Sequence, residues 1–80
     1  MENNYEFAKK YNTSVIDENG VVKNTTCNFK GIYNNVEVFE WVITLTTSTG
    51  EVISKDVYYT DKSLNMIKID NEEKENLKLR

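Results

Sequence analysis

Cys27 is the only thiol in this chain, and no histidine stands anywhere among its 80 residues. A cysteine becomes a nucleophile when a base or a nearby positive charge holds it as a thiolate. Without histidine, the commonest general base and metal ligand is missing. Cys27 falls within TTCNF, a stretch of strand character, and is expected to be a buried, inert side chain. No phosphate-cradling or nucleophile-elbow motif occurs, and the chain has only three glycines. Glu37 and Glu40 lie on opposite faces of a strand, so they cannot work as a carboxylate pair. Glu40 and Asp56 share a face in the register derived below, where they read as wet sheet surface. DENG, residues 17–20, resembles part of a calcium loop, but the first ligand position, five residues before Gly20, is Val15. The expectation is a protein that is not an enzyme, with no catalytic residue, no cofactor and no metal.

A net charge of −3 with scattered lysines argues against direct nucleic-acid binding, which needs clustered cations. The aromatic supply is generous, but the sheet positions Phe39, Trp41 and Tyr59 lack the interleaved arginine or lysine of base-stacking surfaces and read as core. No run reaches the length of a membrane span, and MENNYEFAKK lacks the basic start and apolar middle of a secretion signal. A reduced cysteine and these absences point to the cytoplasm. Asparagine is frequent and proline absent. That bias resembles short proteins of AT-rich, low-GC bacteria and their phages, a resemblance of composition alone.

Size and patterning predict a single small domain over 1–80: an α+β fold, mostly β, with a four- to five-stranded antiparallel meander and short terminal helices. All-β is the alternative. The strands are expected at about 13–17, 21–32, 36–47, 51–60 and 64–69. In the turn TSTG, Gly50 suits a left-handed position, which sets Thr47 opposite Glu51. Counting back pairs Leu45 with Ile53, Ile43 with Lys55, Trp41 with Val57 and Phe39 with Tyr59. The other face pairs Val42 with Asp56, Glu40 with Tyr58 and Val38 with Thr60. A slip of one residue would set Ser54 and Asp56 on the core face, so the pattern favours this register. In the first hairpin, a left-handed Gly20 sets Ile16 opposite Val22; a two-residue Asn19-Gly20 turn, which shifts the register by one, is the competing geometry. For the middle hairpin, a two-residue Asn34-Asn35 turn would align Lys30 with Phe39 and Asn28 with Trp41, a poor match. A three-residue loop, Tyr33 to a left-handed Asn35, is preferred because it aligns Phe29 with Phe39 and Cys27 with Trp41, with Gly31 as a candidate bulge. Residues 3–11 fit a short helix or a strand. Asp70 and Glu73 have helix-capping spacing, while Leu77 and Leu79 alternate as in a strand.

This register leaves Val38, Glu40, Val42, Asp56 and Tyr58 as a half-apolar, half-acidic strip on the second sheet face. Tyrosine with limited charge is typical of protein-binding surfaces. With the acidic residues Asp70, Glu72, Glu73 and Glu75, the strip is the candidate partner-binding set. The partner is expected to be another protein, such as a nucleic-acid-binding defence complex. Short, acidic, motif-poor chains of this style resemble phage inhibitors of host defence, the anti-CRISPR type included. The alternative is an assembly subunit that forms a homo-oligomer through its sheet edges.

Overall fold

A computed structural model describes residues 3–69. The order is α1 (Asn4–Lys9), β1 (Thr13–Ile16), β2 (Val22–Tyr33), β3 (Val36–Thr46), β4 (Val52–Thr60) and β5 (Met66–Ile67). The strands form one antiparallel sheet in sequence order, a meander with a single helix among the described residues. The expected fold class holds, and the open choice at the N-terminus resolves to a helix. The C-terminal helix or strand considered for residues beyond 69 lies outside the described residues.

The helix starts where Asn3 accepts a hydrogen bond from the Glu6 amide at 2.8 Å, satisfying a first-turn donor that the helix cannot. Its apolar residues land on one end of the sheet. Ala8 joins Cys27, Phe29, Phe39 and Trp41 in the buried cluster, with Phe7, Tyr11 and Tyr58 packed around it. The rings meet edge-on or tilted: Phe7 and Phe39 at 5.0 Å, Tyr11 and Trp41 at 5.0 Å, Tyr5 and Phe29 at 5.5 Å. Such geometry sets ring edges against ring faces and contributes roughly 0.5–1.5 kcal/mol per pair beyond burial. Asn4 also donates to the Glu37 carboxylate, and Lys62 lies 5.3 Å over the Phe7 ring, so β3 and the β4–β5 loop both hold the helix.

The first hairpin follows the expected register, with Ile16 opposite Val22 and Gly20 at φ 81°. In the second, Cys27 meets Trp41 and Phe29 meets Phe39 as expected, but by another route. The turn has two residues, Asn34 and Asn35, both left-handed at φ 50° and 65°, and a bulge between Phe29 and Gly31 restores the alignment. Asparagine tolerates positive φ better than most residues, which admits the tighter turn.

The third hairpin corrects the expected register. Its turn is as anticipated, with Gly50 at φ 90° and Thr46 opposite Val52. A bulge beside Ile53 then shifts β4 by one residue, so Leu45 faces Ser54, Ile43 faces Asp56, Trp41 faces Tyr58 and Phe39 faces Thr60. Two physical facts explain the slip. Ser54 and Asp56 reach the helix-side face, but at the end where the α1 cluster does not extend, so they are not forced into a core. The shift also places Thr60 where its hydroxyl accepts a hydrogen bond from the Trp41 indole N–H at 2.7 Å. A buried indole N–H left without a partner would cost roughly 1–3 kcal/mol.

Candidate functional site

Among the described residues, three of the four hairpin loops share one hydrogen-bond plan. In Asp17–Val21, Thr47–Glu51 and Asp61–Asn65, the first residue's amide bonds to the fifth residue's carbonyl, and the fourth residue's amide bonds back to the first carbonyl. The first side chain then accepts from the fifth amide, through Asp17 at 2.9 Å, Thr47 at 3.1 Å and Asp61 at 2.9 Å. The fourth residue must be left-handed. Gly20 and Gly50 occupy it in two loops; the third has Leu64, at φ 70°. For an L-residue with a bulky side chain this conformation costs roughly 1–2 kcal/mol, because Cβ crowds the carbonyl oxygen that follows.

Leu64 does not recover that cost by entering the core, for it is 50% exposed. It stands at the rim of a groove of about 480 Å³ lined by Tyr11, Trp41, Tyr58, Thr60, Leu64 and Met66. Each element contributes for a local reason. Trp41 and Tyr58 are cross-strand partners whose rings stack 6.0 Å apart at 3°, and Met66 sits opposite Thr60 at the start of β5. Tyr11 follows the helix directly, held by its amide bond to the Ala8 carbonyl at 3.0 Å. The floor is rigid: the Trp41 indole donates to Thr60, whose hydroxyl donates in turn to the Asp61 carbonyl at 3.0 Å. The rim is apolar and open, with Met66 69% exposed.

The Asp61 carboxylate organises the loop that carries Leu64. It accepts from the amides of Ser63 and Asn65, each at 2.9 Å, and from the Asn65 side chain at 3.1 Å. The backbone and side-chain bonds from Asn65, with the Ser63 amide adding to them, hold its carboxyl below the ordinary aspartate range. Cys27 is buried, and desolvation pushes its thiol from 9.0 up to about 11, so it stays protonated at neutral pH.

The strip expected from the sequence does not come together. Val38, Glu40 and Val42 share the face turned away from α1, as anticipated, but the β4 bulge carries Asp56 and Tyr58 to the helix-side face. Tyr59 takes the place beside Glu40 and donates its hydroxyl to that carboxylate at 3.3 Å. Burial first, then the Glu40 charge and this hydrogen bond, raise the Tyr59 hydroxyl above its usual range. Val38, at 0% exposure, offers no contact surface, whereas Val42 is half-buried opposite an exposed Val57. Asp70, Glu72, Glu73 and Glu75 lie outside the described residues. Of the named residues, Tyr58 alone enters the aromatic groove. Leu64 and Met66 escaped the sequence reading because nothing in DKSLN marks a left-handed leucine; a glycine at 64 would have shown the loop at once.

Among the described residues no group of histidine, cysteine or carboxylate side chains is arranged to hold a metal, and no helix is long and apolar enough to cross a membrane. No protein-family model matches this chain, and the curated proteins and solved structures compared with it give no match either.

Proposed function

We propose that this chain is a non-enzymatic protein-binding module whose working surface is the groove formed by Tyr11, Trp41, Tyr58, Leu64 and Met66. One observation carries the reading: Leu64 is held left-handed and half-exposed, where two loops of the same plan have glycine. Backbone strain that burial does not offset is typical of positions where the side chain serves something other than folding. An exposed leucine and methionine around stacked aromatics suit a partner's apolar anchor residue, and tryptophan and tyrosine are among the residue types that carry most energy at protein interfaces. The short, acidic, asparagine-rich chain is in keeping with a phage or mobile-element inhibitor of the anti-CRISPR type. In that role it acts in the host cytoplasm, covering a functional surface of a nucleic-acid-binding defence protein.

The test compares tagged native chain with Leu64→Gly, both shown to be folded, in affinity capture from host cells. A protein held by the native chain and lost from the variant is the expected result. Equal capture by both, or no specific protein with either, overturns the reading. A second reading, assembly through sheet edges, draws on β1, an edge strand on which Val15 is 61% and Ile16 67% exposed. Sedimentation at micromolar concentration decides it, and a strict monomer would remove it.

A further inference from the structure

Among the described residues, the outer edge of β2 is only partly used. β1 covers it from Val22 to Thr25, while β2 runs on to Tyr33. The chain leaves that line at Tyr11 and Asn12, whose amides turn back to the carbonyls of Ala8 and Lys9. Asn12 then fills the first vacant ladder position with its side chain, accepting from the Cys27 amide at 2.7 Å. The Cys27 N–H therefore points away from β3. By the alternation of an antiparallel ladder, the N–H and C=O of Phe29 point the same way. No strand among the described residues pairs with Phe29 on that side.

A groove of about 430 Å³ lies along this edge, lined by Tyr5, Ala8, Lys9 and Asn12 on one wall and by Cys27–Lys30 on the other. Successive strand residues point to opposite faces, so four consecutive ones can line a single groove only when it meets the strand edge-on. Among the described residues, Lys9 and Lys30 are its only charged lining side chains, in a chain whose net charge is −3.

We propose that this groove is a second binding site, distinct from the aromatic one, which takes an extended acidic segment of a partner protein as an added strand beside Cys27–Lys30. The added strand exchanges main-chain hydrogen bonds with Phe29, and its carboxylates, whichever face they occupy, meet Lys9 on α1 or Lys30 on β2. Edge pairing supplies affinity of a kind that tolerates varied sequences, while the two lysines select for acidic ones.

The experiment titrates ¹⁵N-labelled full-length protein with a short acetylated, amidated peptide alternating valine with glutamate. A matched peptide with lysine for glutamate serves as the control. The expected result is movement of the Cys27–Lys30 amide signals with the glutamate peptide, slower hydrogen exchange at Phe29, and unmoved Leu64 and Met66 signals. The lysine peptide should bind about tenfold more weakly, and Lys9→Glu with Lys30→Glu should reverse the preference. Equal response to both peptides, signal changes confined to the Leu64 groove, or no change at millimolar peptide would each overturn the proposal. If the double variant fails to fold, the two-peptide comparison on native protein still decides.

Discussion

The Thr47–Glu51 and Asp61–Asn65 loops close neighbouring hairpins with the same backbone bonds, and they differ at the residue that must be left-handed. At Gly50 a Cβ would meet nothing within 4 Å, so glycine is there for its backbone alone. At Leu64 the same conformation carries a large side chain, half-exposed at the edge of an aromatic groove. Left-handed strain of roughly 1–2 kcal/mol is offset by about 1 kcal/mol from half-burying a leucine. Folding thus gains little from the leucine. What separates the loops is what stands beside them: open space at Gly50, and Trp41, Tyr58 and Met66 at Leu64. One loop is built to turn the chain, and the other turns the chain while presenting a side chain.

Removing the floor beneath Leu64 should break the comparison most severely. Trp41→Ala deletes a nearly buried ring, its stack on Tyr58 and its hydrogen bond to Thr60. We expect a loss of about 3–5 kcal/mol in chemical unfolding, the usual cost of emptying an aromatic core site. Next, Gly50→Ala imposes on the plain loop the strain that Leu64 already bears, with no contact to offset it. Denaturant titration should show a loss of about 1–2 kcal/mol. Leu64→Ala keeps the strain and removes the groove contact, so about 1 kcal/mol should be lost.

The smallest effect is acidic. Asp61 is held below the ordinary carboxylate range, so its contribution is present above its unfolded pKa and lost as pH falls through the lower folded value. Amide exchange at Leu64 and Asn65 should quicken on acidification. The Thr47–Glu51 loop, fastened by a hydroxyl, should not respond in that window.

The same contrast explains what could be read from the residues alone. Gly20 and Gly50 announce their turns, and the pairing of Phe29 with Phe39 follows from an apolar alternation that the rival alignment, Lys30 opposite Phe39, does not match. The β4 register misleads because Val57, Tyr58 and Tyr59 are all apolar enough for a core: either parity sets a large side chain opposite Trp41. What decides between them is the partner of the indole N–H, Thr60, and periodicity does not register one hydrogen bond. Ser54 and Asp56 would have to stay off the helix-side face only if the core ran along the whole sheet. The short α1 covers one end only, and its reach depends on tertiary packing. Leu64 was the least legible residue, since its backbone conformation contradicts its own preference and is imposed by the Asp61 bonds.

The most direct test is the unfolding midpoint of Leu64→Gly, measured in denaturant beside the native chain. Glycine relieves the left-handed strain and gives up a half-exposed contact, so the midpoint should stay level or rise. A loss of about 2 kcal/mol or more, as for a leucine serving the core, would show that Leu64 is there for the fold and contradict the account.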